Sequence, residues 1–479
     1  MRFKNPTLAL FLCVAILEAL MISRFGLPHS SQIDFAAFYC GGDAVRHGSN
    51  PYLTEPIRTC EMAAVPGFFP PKNRLAIPAP LPGYAFLPFM ILSTVPFWAA
   101  NIIWVLFITG AYFVLVRSLH RLTGLPILMI FFATLMSVFY LSLLLGQPVV
   151  IAIAFLVLSA EYLEKHRPRL ASFMAMGTLI EPHLALPLIF ALFLFNQAGR
   201  IALMLGLAVT ALASIIVLGV DLNYQYVALV MPAQIMSELH NEQQYSASFL
   251  AIVFGSNDSI AKTVGDVSYV ADLIVGLVVS FFLMKKYQSP ALALTVPVAF
   301  SVLGGPYLHA QHLGAAAMPA ALLIFQKTRS TSKRSIGIAI LLLSIPWGSS
   351  LMLMYALPIL MLVTAYLAYT YLKKPLLISA GIGSLSALVI LCANSVYVSQ
   401  PMISFEGWPT NDGSFPVQMT WQHLRDVSFH GNITLLVILH SITWTGLILL
   451  YVTIIKHIVT LKFEKDAYLD LFRKRKMIQ

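Results

Sequence analysis

The chain has 479 residues, 58% of them hydrophobic and only 10% charged, with a formal net charge of +10 at pH 7. A water-soluble globule carries about 25% charged residues, so this composition excludes one and points to an all-α polytopic membrane protein. The surplus basic residues come in short clusters between apolar runs rather than in a stripe, which argues against a nucleic-acid partner and for topology signals.

Taken in order, the chain opens Met-Arg-Phe-Lys-Asn and then runs apolar to Ser23. No small-residue cleavage site follows, so this reads as an uncleaved first helix rather than a signal peptide. A bilayer crossing needs about 20 apolar residues. Candidate spans lie near 6–23, 97–119, 125–144, 147–163, 201–219 and 268–284, and again near 290–304, 313–326, 335–350, 353–372, 375–397 and 432–455. The run 81–95 is broken by Pro82, Pro88 and Pro96 and is expected to dip into the membrane, while 169–198, interrupted at Glu181-Pro182-His183 and Pro187, is expected to form two short helices turning back.

Lys/Arg clusters fall at Arg2/Lys4, Arg117/Arg121, Lys165/Arg167/Arg169, Arg200, Lys285/Lys286, Lys327 to Arg334, Lys373/Lys374 and from Lys456 to Lys476. With all of them cytoplasmic, the positive-inside rule gives about 12–14 transmembrane helices with both termini inside the plasma (inner) membrane. Every polar loop of interest is then extracytoplasmic: 24–80, Gly146-Gln147, Glu181-Pro182-His183, 221–267, Gly304 to His312 and 398–431. Such shared sidedness is what a site assembled from several loops requires, since charged groups near membrane depth are costly and usually functional.

Residues 31–52 are the first place where carboxylates, a cation and glycines gather beside a span. A helix is expected up to about His47, stopped by Gly48 and Pro51, with Asp34, Phe38 and Gly41 along one face. Asp43 is out of phase with Asp34 and three residues before Arg46, a spacing for a local ion pair. Cys13, Cys40, Cys60 and Cys392 have no metal-ligand spacing, and at most Cys40 and Cys60 pair in the outer loop. Tyr224 to Leu239 reads as an amphipathic interfacial helix, and Ser246 or Ser248 as a helix cap.

The run Asp34, Tyr39, Gly48, Pro51, Tyr52 resembles the opening motif of glycosyltransferase family 87, polyprenyl-phosphate-sugar-dependent enzymes of the GT-C superfamily. Further partial motifs follow. The proline-rich stretch Phe68 to Pro88 resembles the family's entry to its next membrane segment. Gly146-Gln147-Pro148 resembles its Gly-Gln-x-Asn turn, with Val149 or Val150 in the Asn place. Ala171 to Pro187 resembles a run in which the family has a Lys, here Glu181, and Asn241 to Gly255 resembles an Asn-Gln-Ser helix start. Gly304 to Leu313 resembles its Ser-Pro-x-x-x-x-His-His-Leu motif, with Gln311 in the first His place.

The resemblance covers about the first 320 residues. It implies a GT-C fold and inverting transfer of a sugar, mannose by family default, from a polyprenyl-phosphate donor to a hydroxyl of a glycolipid or glycan. Asp34 is then the candidate general base. His312, His309 and one of Arg58, Lys72 or Arg74 are candidates for the donor phosphate; Tyr39, Gln147, Glu181, His183 and Tyr307 are candidates for acceptor or sugar. No cofactor or divalent metal is expected, because no carboxylate accompanies the histidine pair locally. The expected organisation is a catalytic module over 1–330, further membrane helices over 331–456 and a basic cytoplasmic tail over 457–479. The rival class is a transporter or flippase of a lipid-linked sugar, whose charges would cluster at the bilayer midplane between internal repeats.

Overall fold

The structure is a computed structural model that describes residues 32–65, 76–77, 79–239, 241, 244–305, 308–328, 330–348, 357–397 and 433–462. The described chain is all-α. Its helices are α1 (Ile33–Arg46), α2 (Thr54–Ala64), α3 (Gly83–Leu92), α4 (Phe97–Thr123), α5 (Ile127–Leu145), α6 (Val149–Glu164), α7 (Pro168–Ala175), α8 (Pro182–Phe195) and α9 (Arg200–Gln225). They continue as α10 (Met231–Glu238), α11 (Ala247–Val253), α12 (Asp258–Tyr287), α13 (Pro290–Ser301), α14 (Ala310–Lys327), α15 (Ser330–Leu343), α16 (Leu357–Leu372), α17 (Leu376–Tyr397) and α18 (Ile433–Lys462).

Six stretches among the described residues are long and apolar enough to cross a bilayer: Phe97–Thr123, Ile127–Leu145, Gln197–Glu238, Asp258–Tyr287, Leu376–Ala393 and Thr434–Val459. Shorter apolar helices, α3, α8, α13 and α16, complete a polytopic membrane protein. Large apolar side chains such as Ile201, Leu205, Val209, Ile216 and Val275 stand exposed along α9 and α12, an arrangement that only a hydrocarbon solvent makes favourable. At the centre is α13, whose residues from Ala291 to Ser301 are all buried. It packs against α6, α8, α12 and α14.

Among the described residues the expected spans form helices, six of them long and apolar enough to cross a bilayer, and the first, 6–23, lies outside the described residues. The proline-broken run 81–95 yields only the ten-residue α3, and the 169–198 segment forms α7 and α8 separated by a tight 3-10 turn, Met176–Ile180. The expected interfacial helix is part of a longer element. Gly219, at φ 71°, breaks α9, and the chain then runs on through a π turn, Tyr226–Val230, into α10. Ser246 caps α11 by accepting from the Phe249 N–H at 3.3 Å.

Basic residues and polar turns occupy opposite ends of the same helices. At one end Glu161 accepts from Arg121 (3.1 Å) and from Lys165 (2.5 Å), Glu164 caps α13 through Ser289 Oγ and Ala291 N–H (both 3.0 Å), and Lys286 donates to the His457 carbonyl (3.0 Å). At the other end lie the start of α1, the α5–α6 turn, the break before α8, the end of α10 and the start of α14. Joined to that end is the α1–α2 unit, closed by a disulfide between Cys40 and Cys60 and by the expected Asp43–Arg46 ion pair at 2.8 Å.

Candidate functional site

The site begins with a helix end that the helix itself cannot complete. Pro148 has no N–H for the carbonyl of Leu144 four residues back, and the last carbonyls of α5 would be orphaned. Gln32 supplies both missing donors: its backbone N–H reaches Leu144 O at 2.8 Å, and its side-chain amide reaches Leu143 O. The turn is sealed by Trp104 Nε1, which donates to Gly146 O at 2.8 Å. This docking sets Asp34, two residues on, beside Gln147, whose Nε2 donates to Asp34 Oδ2 at 2.7 Å.

A second break follows the same logic. Pro187 leaves the His183 carbonyl without its helical partner, and the Tyr269 hydroxyl donates to it at 2.9 Å. The Tyr84 hydroxyl donates to Leu179 O at 3.0 Å. The turn so fixed holds Glu181 and His183 in the protein, with the Glu181 carboxylate 3.7 Å from His183 Nδ1 and 3.7 Å from His312 Nε2. The His183 and His312 rings meet edge to face at 4.4 Å.

The third component is the start of α14, where two imidazoles cap the helix reciprocally. The His309 side chain accepts from the N3 backbone N–H, and the His309 N–H donates to His312 Nδ1 at 3.1 Å. Because His312 Nδ1 is an acceptor here, the proton of the neutral ring sits on Nε2, facing Glu181. His309 faces the other way. Its Nε2 lies 3.0 Å from Glu238 Oε2, which also accepts from Asn241 (2.7 Å) and Gln244 (3.1 Å). Gln311 joins the halves, with its Nε2 at 2.7 Å from Gln147 Oε1 and 3.3 Å from His309 Nδ1.

Burial sets the charges. Asp34 is half-buried, and desolvation pushes its carboxyl up to about 6, against the opposing pull of the Gln147 hydrogen bond and the His309 charge. Glu181, buried and near Asp34, is pushed up to about 8 by the same desolvation. Burial alone would lower His309, but the Glu238 carboxylate outweighs it and raises the ring above its ordinary value.

Of the residues expected from the sequence, Asp34, Gln147, Glu181, His183, His309 and His312 converge here. Tyr39 does not join them: its hydroxyl donates to Val95 O at 2.9 Å and its ring packs on Phe35 and Phe97. Arg58 is paired with Glu55 at 2.7 Å. Lys72, Arg74 and Tyr307 lie outside the described residues. Sequence reasoning missed Glu238 and Gln311. The signal for Glu238 was present, an acid at the outer end of a long apolar run, whereas Gln311 was visible only as the occupant of a histidine place.

Residues 82–306 match the family model of glycosyltransferase family 87. The match spans just under half of the chain and indicates a glycosyltransferase. It contains Gln147, Glu181, His183 and Glu238, while Asp34 lies before it and His309, Gln311 and His312 after it. No curated protein and no solved structure matches the chain.

A divalent ion is one group the family 87 match does not decide. Glu181, His183 and His312 each offer a ligand atom, all within 4.8 Å of one another, a suitable number and kind for zinc. His312 does not fit as a ligand in its present tautomer. The atom facing Glu181 carries the ring proton, and metal ligation there would require the cap bond from the His309 N–H to open.

Proposed function

We propose that the protein is a GT-C-type transferase that moves a sugar, mannose or a related one, from a polyprenyl-phosphate donor to a hydroxyl acceptor on the extracytoplasmic side, with inversion. The observation that carries this reading is Asp34: a half-buried carboxylate, held by one oxygen, among histidine and glutamine donors at the end of lipid-exposed helices. The family 87 match over 82–306 supports the transfer chemistry. Two features support the side. The basic ends of the helices oppose the site, as the positive-inside rule requires of a cytoplasmic face, and the Cys40–Cys60 disulfide adjoins it, as suits an oxidising compartment.

In this mechanism Asp34 takes the proton of the acceptor hydroxyl as that oxygen attacks the anomeric carbon. The bond from that carbon to the phosphate oxygen breaks, and the polyprenyl phosphate leaves. His312 presents its Nε2–H to the departing phosphate oxygen, a donor whose hydrogen bond strengthens as charge develops there. Glu181 stands where the family has a lysine. With its carboxyl neutral at pH 7 it does not repel the phosphate, and it and His183 contact the sugar or the acceptor. Because Arg58 is engaged by Glu55, Lys72 and Arg74 are the basic residues left to hold the phosphate.

The test uses purified protein in lipid nanodiscs with labelled polyprenyl-phosphate mannose. Wild type transfers or hydrolyses the sugar, and Asp34→Asn keeps its melting transition while losing about 100- to 10,000-fold in rate. Near-wild-type turnover by the variant removes Asp34 from the mechanism. Movement of the lipid across liposomes without chemistry replaces the enzyme by a transporter.

A further inference from the structure

The amides and rings around Asp34 leave little freedom of orientation. An ionised Asp34 Oδ2 at 2.7 Å requires Gln147 to present its N–H there, which turns Gln147 Oε1 to Gln311. Gln311 must then donate. Its Nε2 serves Gln147 with one hydrogen and points the other at His309 Nδ1 at 3.3 Å. With Nδ1 an acceptor, the neutral His309 ring carries its hydrogen on Nε2, aimed at Glu238 Oε2 at 3.0 Å. Reversing either amide would set oxygen against oxygen at 2.7 Å. The Oε1 of Gln311, buried and without a hydrogen bond among the described residues, adds nothing to fix the orientation. The two Nε2 contacts alone do.

We propose that Gln311 and Glu238 are positioning residues for Asp34, members of a hydrogen-bond chain whose donors run outward from Gln311, to Gln147 and Asp34 on one side and to His309 and Glu238 on the other, that holds one carboxylate oxygen and leaves the other for the acceptor proton. The proposal rests on reading Asp34 as the base, but its structural content is separate: Gln311 acts on Asp34 only through Gln147. Other titratable groups facing Asp34 are His309, Glu238 and Glu181; of these Gln311 touches only His309, and losing its donor to Nδ1 favours a charged ring, which would lower the Asp34 midpoint, opposite to the shift expected through Gln147.

Gln311→Met keeps the side chain's length and removes both amide atoms, as does Gln147→Met at the next link. The experiment is an infrared pH titration of the full-length protein in nanodiscs, with the Asp34 carboxyl band isolated by subtracting Asp34→Asn, for wild type, each single variant and the double variant. Losing the Gln147 donor raises the Asp34 midpoint. Gln311→Met is expected to raise it as well, by about half a pH unit or more, and to add nothing in the Gln147→Met background, the signature of two residues acting in series. An unshifted midpoint in Gln311→Met, or equal shifts in both backgrounds, overturns the proposal. Should Gln311→Met not fold, Gln311→Leu reads the same link without adding a charge, and the Asp34 midpoint is again expected to rise only while Gln147 is present. The titration needs no substrate. Failure of sugar transfer with an intact thermodynamic cycle overturns the function proposed above and leaves the chain standing.

Discussion

Asp34 governs the pH behaviour expected of this protein. Its carboxyl is held near 6 by desolvation, and only the ionised form accepts a proton. The rate is therefore expected to fall about tenfold per pH unit below that value, whereas a solvated aspartate would hold its rate to about two units lower. A pH profile of kcat/KM checks this. Stability moves the other way. A raised carboxyl means that the native state binds its proton more tightly than the unfolded chain, so the cost of burying the charge is absent below about 4 and complete above about 6. Asp34→Asn removes that cost. Its Tm is expected to equal or exceed wild type at pH 7.5, and the difference is expected to vanish near pH 4; a Tm well below wild type at pH 7.5 would make Asp34 a structural residue.

At the scale of elements, the site depends on helices that end where proline or glycine ends them. Gly146 shows how tight the joint is: it sits at φ 79°, and a Cβ there would lie 2.6 Å from Phe35 Cβ and 2.7 Å from Gln32 Oε1. Gly146→Ala adds a left-handed penalty of about 1–2 kcal/mol and pushes α1 from the α5–α6 turn. Activity is expected to drop about 100-fold, as for a displacement of about 1 Å between reacting groups, with a smaller effect on donor KM. Steady-state kinetics beside a melting curve measures both. These ends were legible in the sequence, because proline, glycine and apolar run length act locally: the stop at Gly48, the break at Glu181-Pro182 and the turn at Gly146-Gln147 all appear where the residues put them. The partners were not. That Glu238 meets His309 across 71 positions, or Gln147 meets Asp34 across 113, is a property of packing that no local spacing encodes. Cys40 and Cys60 were visible as a pair only in being two thiols on one loop, and Tyr39 was singled out by its place in a motif although its hydroxyl serves Val95.

For the whole molecule, the consequence of the segregated ends is a defined topology. Single cysteines placed at half-buried Ser49 and at exposed Arg169, in a background keeping Cys40 and Cys60 and lacking the other two, test it in intact cells. A membrane-impermeant maleimide is expected to label position 49 without permeabilisation and position 169 only after it. The reverse pattern would put the site in the cytoplasm and sever the proposed link to an extracytoplasmic acceptor. Lipid access agrees with this arrangement, since the faces of α9 and α12 that carry bare aliphatic side chains belong to the same bundle as the polar network.

The start of α14 ties these scales together. His309 and His312 close the first turn of that helix with one side of each imidazole, while the Nε2 of each ring points toward a carboxylate, Glu238 or Glu181. Folding this one turn selects the tautomers of both neutral rings. Replacing either imidazole would loosen the start of a helix and, in the mechanism proposed above, disturb the surroundings of the reacting groups in one stroke.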